Sequence, residues 1–259
     1  MGSVRGPDGP LECVVTGSGE PVTVFAHGFA GSIGETRPFG SGVHGTRVFF
    51  HFRAHGASAP ADLPWTYAGL EAELRAVRTA YGASRGLGVS LGAGALLRSA
   101  VCSPDTFERL VVVLPPALDR PRSGQALDRV RAMAQQAASH DVEGLTALLL
   151  AEQPEEVRRR RGTQMWARSQ AERLSSAALR DVIVQIPGLV PLEDRALLAR
   201  VTAPVLLIGQ EHDEAHPSSV VHEIAEVLPN ATVEIFSPGG VLWTHRARLR
   251  SLVSGFLND

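Results

Sequence analysis

The sequence predicts an α/β protein built on a mostly parallel, doubly wound sheet. Short apolar runs bounded by Gly or Pro stand at residues 21–26, 110–114 and 204–208, too short for helices and without the alternation of a half-exposed strand. Helical patterns at 67–81, 92–101, 217–228 and 246–257 alternate with them. With 259 residues, 44% of them hydrophobic, the chain can build one large α/β domain or two small ones.

Residues 47–52 and 231–236 read as two further strands, and 85–89 as a short one. The alternation breaks between residues 118 and 200, where the text is helical and rich in Arg, Ala, Leu and Gln. Only 182–186 there looks like a strand. Residues 118–186 are therefore expected to form a helical cap inserted into a core of residues 1–117 and 187–259.

Composition narrows the function classes. A net charge of −2 and a pI near 6.5 provide no global attraction to nucleic acid or an anionic membrane. All 25 basic residues are arginine, and the dense run 158–161 follows Glu155 and Glu156, as on a solvated helix face. Cys13 and Cys102 have no CxxC or Cys/His spacing, so two buried free thiols are expected, with no metal and no cofactor. Residues 1–10 are Gly/Pro-rich without the apolar run of a signal peptide, and nothing approaches the ~18 apolar residues of a membrane span. The expectation is a soluble, cytoplasmic protein with a small-molecule substrate and no nucleic-acid or membrane partner; the oligomeric state is not legible.

The densest chemistry is Gly88-Val89-Ser90-Leu91-Gly92, a G-x-S-x-G following strand 85–89 and opening an Ala/Leu-rich helix. A serine on so tight a strand-to-helix turn needs glycine two residues either side, where a side chain would meet neighbouring backbone. The helix N-terminus behind it offers free N–H groups to a developing oxyanion. A dinucleotide fingerprint starting at Gly86 fails in register, because its third glycine would fall on Leu91.

Three further segments give the serine a context. Residues 25–32, Phe-Ala-His-Gly-Phe-Ala-Gly-Ser, end a strand in His27-Gly28. Residues 53–58, Arg-Ala-His-Gly-Ala-Ser, follow the next strand, and 203–213 end a late strand in Gln-Glu-His-Asp. In this order and spacing the four segments resemble the α/β-hydrolase superfamily over nearly the whole chain outside the insertion. The resemblance implies an α/β-hydrolase fold, with Ser90 as nucleophile, Asp213 as triad acid, and the N–H groups of Phe29 and Leu91 as oxyanion donors. His27 matches a residue that is structural in the family. The 53–58 segment departs from Asp-x-Arg-Gly-x-Gly, with His51 for Asp and Ala54 for the first Gly, which changes local hydrogen bonding rather than chemistry.

The main departure concerns the base. The family's last strand leads into Gly-His or Gly-Gly-His, but here Gly239-Gly240 is followed by Val241. Valine can neither accept nor return the serine's proton. His245 lies four residues on, roughly 6 Å along a helix axis, and serves as a displaced base only if the loop shifts by that much. Otherwise it is a helix-start histidine beside Arg246. His212 and His216 flank the acid and are set aside, because Asp213 would then need a different role. Met133, Met165 and Trp166 of the insertion are candidate pocket walls.

The resulting expectation is an enzyme acting on an ester, thioester or lactone through Ser90 and an oxyanion hole, with an incomplete or displaced triad. Three alternatives stay open: a lyase, cyclase or isomerase of the same fold, a ligand-binding pseudoenzyme, and an engineered His-to-Val change.

Overall fold

Strands without a polar face belong in the middle of a sheet covered on both sides, and that is where the computed structural model places them; it describes residues 2–60 and 64–259. The strands are β1 (Gly2–Gly6), β2 (Gly9–Thr16), β3 (Val22–Ala26), β4 (Thr46–Phe50), β5 (Arg85–Val89), β6 (Arg109–Val113), β7 (Val205–Gln210) and β8 (Ala231–Phe236). They form one eight-stranded sheet in the order β1-β2-β4-β3-β5-β6-β7-β8. From β4 to β8 every pairing is parallel; β2 joins β4, and β1 joins β2, antiparallel.

The antiparallel pair β1–β2 begins in the Gly/Pro-rich residues 1–10 and was not among the strands expected from the sequence. An edge hairpin, exposed along much of its length, lacks the continuous apolar run that betrays an interior strand. Residues 182–186 differ in the other sense. They are not a strand but open a 3-10 turn at Ile183–Gly188, with Ile183 and Ile186 turned into the core. Cys13 is buried as expected, whereas Cys102 at the end of its helix is exposed; both thiols are free.

The helices are α1 (Ile33–Thr36), α2 (Tyr67–Tyr81), α3 (Leu91–Cys102), α4 (Gly124–Ala138), α5 (Val142–Ala151), α6 (Glu155–Arg158), α7 (Arg161–Leu174), α8 (Ala177–Arg180), α9 (Ser218–Ala225) and α10 (Arg246–Asn258). Their ends follow ordinary capping chemistry. Thr66 accepts from the Gly69 N–H at the start of α2, and Gly82 ends that helix in the left-handed conformation. Alternate residues of each central strand face opposite layers. Val24 and Val112 pack with Leu70, Leu74, Leu96 and Ile224 from α2, α3 and α9, whereas Phe25 and Val111 pack with Leu249, Val253 and Leu257 of α10.

Two features position the site. β3 has β4 on one side and β5 on the other, so the chain leaves the carboxyl ends of β3 and β5 around a topological switch point, where open α/β sheets bind ligands. The helices α4 to α8, all between β6 and β7, come down on those strand ends. Arg173 of α7 donates to the Ala30 carbonyl at 2.5 Å and pairs with Glu35, fastening α7 to the loop after β3. Arg129 of α4 pairs with Glu152 and with Glu214 (2.6 Å), tying α4 to the loop after β7.

Candidate active site

β5 ends at Val89 and α3 begins at Leu91, so Ser90 alone makes the turn, with φ 50° and ψ −112°. A non-glycine residue in that conformation is strained and persists only where surrounding contacts hold it. Here the Ser90 N–H donates to Val113 O at 2.9 Å, and Gly94 N–H donates to Ser90 O at 3.2 Å. The flanking glycines are required by contact. A Cβ on Gly88 would lie 2.3 Å from Gly92 O, and one on Gly92 would lie 2.4 Å from Ala26 O. A Cβ on Gly28 would lie 3.3 Å from Ser90 Cβ, so the loop after β3 passes directly beside the serine.

The loop after β7 brings the other two groups. Asp213 Oδ1 accepts the backbone N–H groups of Ala215 (3.0 Å) and His216 (2.9 Å), folding the loop back on its own carboxylate. The turn places His216 Nδ1 3.2 Å from Asp213 Oδ2 and His216 Nε2 2.9 Å from Ser90 Oγ. Burial pushes the Asp213 carboxyl up, but the imidazole and the two amides outweigh it and hold the group below its ordinary value. Serine hydroxyl, imidazole and carboxylate thus form one continuous chain of contacts. Pro217 follows at once and α9 begins at Ser218, anchoring the loop's far end.

Most backbone amides of the two segments bordering Ser90 are taken. Ala30 N–H is taken by His55, Gly31 N–H by Gly28 O and Ser90 N–H by Val113 O. The N–H groups of Phe29 and Leu91 have no protein acceptor among the described residues. Both belong to segments that border Ser90.

No family model and no curated protein matches the sequence. Solved structures do match. An esterase from Exiguobacterium antarcticum superposes with a TM-score of 0.83 at 17% identity, covering 100% of both chains. An enol-lactonase from Burkholderia xenovorans gives 0.83 at 16%, also covering 100% of both. A carboxylesterase from Bacillus subtilis gives 0.81 at 16%, over 98% of this chain and 90% of that one. The chain has the α/β-hydrolase fold.

The sequence placed Val241 where the fold's histidine would follow β8 and offered His245 as a displaced base; in the structure His245 makes other contacts. Val241 sits in a π-helical turn, Gly240–Thr244, where it is 1% exposed and gives its backbone N–H to Gln210 Oε1 at 2.7 Å. His245 does not reach Ser90. Its Nε2 lies 3.0 Å from Ser237 O and 3.3 Å from Ser237 Oγ, and its ring lies against Phe236 at 5.4 Å between centroids. The wide turn spends the intervening residues on its own winding, so His245 faces back along its own loop.

His216 is the residue that sequence reasoning set aside, on the argument that Asp213 could not orient a histidine so near in sequence. The Asx-type turn removes that objection, since it carries residue i+3 back over the carboxylate of residue i. The signal was present as Asp213-Glu214-Ala215-His216-Pro217, an aspartate at a turn start and a histidine just before a helix-opening proline.

Three more histidines support the loop after β3. His27 Nε2 accepts Phe52 N–H at 3.1 Å, His55 Nε2 accepts Ala30 N–H at 3.0 Å, and His51 Nε2 accepts Ile33 N–H at 2.9 Å. Each Nδ1 then donates, to Gly28 O (2.7 Å), Arg53 O (2.9 Å) and Glu12 Oε2 (2.8 Å) respectively. A ring that accepts a hydrogen bond at one nitrogen and donates at the other is neutral, as the buried His27 and His55 are. Burial accordingly pushes His27 well below the ordinary histidine range and His55 down to about 4. His51, which replaces the family's aspartate, therefore holds the start of α1 through a nitrogen acceptor.

Ser90 and His216 open into a cavity of about 460 Å³. Its apolar wall comes from Met133, Leu149, Trp166, Ile183, Ile186 and Trp243. Trp166 stands edge-on to Trp243 at 5.8 Å, and Trp243 Nε1 donates to Gln153 Oε1 at 2.8 Å. Met165, the third expected wall residue, is 61% exposed and points away from the cavity. Among the described residues no group of three or more His, Cys, Asp or Glu is placed to hold a metal ion, and no helix is long and apolar enough to cross a membrane.

Proposed function

We propose that the protein is a serine hydrolase of small carbonyl substrates, an ester, thioester or lactone, with a complete but rearranged triad of Ser90, His216 and Asp213. The observation that carries this reading is the 2.9 Å contact between His216 Nε2 and Ser90 Oγ, within reach for direct proton transfer.

The chemistry follows from the contacts. With Nδ1 turned to Asp213, His216 presents its unprotonated Nε2 to the serine hydroxyl. Ser90 Oγ gives its proton to Nε2 and bonds to the substrate carbonyl carbon, whose oxygen takes the negative charge. The free N–H groups of Phe29 and Leu91 are the donors for that oxyanion. The tetrahedral species collapses as the leaving oxygen or sulfur takes the proton from Nε2, leaving an acyl-Ser90. Water then gives a proton to Nε2 and attacks the acyl carbon, and Ser90 leaves with that proton restored. Asp213 stays ionised throughout and steadies the imidazolium.

Residues 118–186 act as the cap in this reading, excluding water and shaping the apolar wall. The fold supports the reading only at the level of a hydrolase scaffold, since the same scaffold hosts other chemistries. The decisive experiment is labelling with a fluorophosphonate, read by intact mass and peptide mapping. Stoichiometric modification of Ser90, lost in His216→Ala, is expected. An unlabelled Ser90 in folded protein, or labelling unchanged in His216→Ala, would overturn the assignment.

A further inference from the structure

The charged side chains lining the cavity come in matched groups, with one exception. Glu35 pairs with Arg173, Arg129 bridges Glu152 and Glu214, and Asp213 faces His216. Arg122, just before α4, lines the same cavity and has no carboxylate within 4.0 Å among the described residues. Its NH1 donates to Ile186 O at 2.8 Å, and its backbone N–H donates to Pro187 O at 3.1 Å.

A guanidinium has five N–H donors in a rigid fork, and withdrawing its charge from water is costly unless an anion answers it. One donor of Arg122 is used on Ile186, and the others have no protein acceptor among the described residues. The main-chain anchors at Ile186 and Pro187 also fix where the fork sits, beside an apolar wall and within the chamber that Ser90 opens into. Arg122 is half-buried on the cavity wall, and its remaining donors are open to whatever fills the cavity. Burial pulls it below the ordinary arginine value, and the one nearby titratable group opposing that shift is the Tyr67 phenol, which is neutral at ordinary pH.

We propose that Arg122 is an anion-binding subsite of the cavity, and that the substrate is an ester, thioester or lactone carrying a carboxylate away from the scissile bond. This rests on the hydrolase reading for the scissile bond, but the subsite itself does not. A carboxylate matches the fork bidentately, which fixes the substrate's direction as well as its charge. Both groups line one cavity with Met133, Leu149, Ile183 and Ile186, so the part of the substrate that joins carboxylate and scissile bond is expected to be hydrocarbon.

Two measurements on the full chain test this and separate it from the hydrolase reading. The first is calorimetric binding of adipate, with neutral adipamide as control, to wild type, Arg122→Met, Arg122→Lys and Ser90→Ala. Adipate is expected to bind and adipamide not. Arg122→Met should weaken adipate at least about ten-fold, some 1.4 kcal/mol, Arg122→Lys should retain part of the affinity, and Ser90→Ala should bind like wild type. Equal binding of adipate by wild type and Arg122→Met, or no binding by folded wild type, overturns the subsite. If Arg122→Met proves unfolded by circular dichroism, Arg122→Gln takes its place.

The second measurement is the ratio of kcat/KM for an anionic ester to that for its neutral counterpart. Mono-4-nitrophenyl adipate against 4-nitrophenyl hexanoate puts the charge on the acyl side, and 4-acetoxybenzoate against phenyl acetate puts it on the leaving side. One pair is expected to show an anionic preference that falls at least ten-fold in Arg122→Met. Arg122-dependent adipate binding with no ester turned over would keep the subsite and discard the hydrolase. Turnover without anionic preference in either pair would keep the hydrolase and discard the subsite's role in its substrate.

Discussion

Asp213 and His216 are three residues apart on one loop, with the imidazole Nδ1 3.2 Å from the carboxylate and Nε2 2.9 Å from Ser90 Oγ. Carboxylate and imidazole thus reach the serine from the end of a single strand, β7. The loop after β8, in which the sequence has Val241 rather than a histidine after Gly239-Gly240, contributes Val241 to the cavity wall.

This arrangement separates two histidines by experiment. His216→Ala should lower kcat for nitrophenyl esters by at least about 10³-fold, because a triad member that acts on the nucleophile is worth that and more. His245→Ala, whose ring is engaged by Ser237, should stay within about two-fold of wild type, the tolerance ordinary for a surface change. Steady-state kinetics on both variants decides it. Loss of activity in His245→Ala with His216→Ala unaffected would reverse the assignment.

Writing histidine into the vacated position should not help. Val241 is fully enclosed, so Val241→His must force a larger, polar ring into packed space at a cost of about 1–3 kcal/mol. His216 already holds the contact to Ser90 Oγ. Ester hydrolysis by Val241→His is therefore expected to be equal to or below wild type, with a lower urea midpoint. A ten-fold rise in kcat would mean that His216 is not the working base.

Two of the histidines behind the loop after β3, His27 and His55, give a pH dependence of stability. In the fold His55 is neutral and titrates near 4, whereas unfolded it titrates near 6.5. Below pH 6.5 the unfolded chain binds the extra proton, so stability is complete above that pH and falls as pH drops toward 4. The loss from His55 is about 3 kcal/mol across this window, and His27, pushed down by burial as well, adds in the same direction. Urea unfolding at pH 7 and pH 4.5 measures it. In His55→Gln, whose amide cannot titrate, the difference between the two pH values should shrink.

The turn at Ser90 is the most sterically exacting part of the site. Gly88→Ala would place a methyl carbon 2.3 Å from Gly92 O, which is backbone and cannot rotate aside. The expected result is a loss of stability above about 2 kcal/mol from overpacking and backbone shift, together with loss of fluorophosphonate labelling. A variant with wild-type melting and labelling would show that the turn relaxes more easily than its contacts indicate.

Legibility in the sequence followed burial. β3, β6 and β7 read directly because strands covered on both faces are continuous apolar runs, and β8 and α2 match their expected limits. β1 and β2 did not read, since an exposed antiparallel edge has neither that run nor a clean alternation. The run 182–186 misled because a short apolar stretch looks the same whether it enters a core as strand or as turn. Of the candidate site, the motifs named Ser90 at the turn after β5 and Asp213 in the loop after β7, because each follows a strand that reads directly from sequence. His216 was hidden because its position depends on the tightness of one loop, which no periodicity records.

With His216 as the proposed base, the π-helical turn from Gly240 to Thr244 and helix α10 after it carry no proton transfer. A chain cut and rejoined so that its termini open within that turn keeps nucleophile, base and acid on one uninterrupted stretch, from Ser90 to His216. The same change in a protein with its histidine after β8 would sever the base from its acid. In the proposed reading the catalytic register is left to the ends of β3, β5 and β7, while α10 keeps its place in the core through Leu249, Val253 and Leu257.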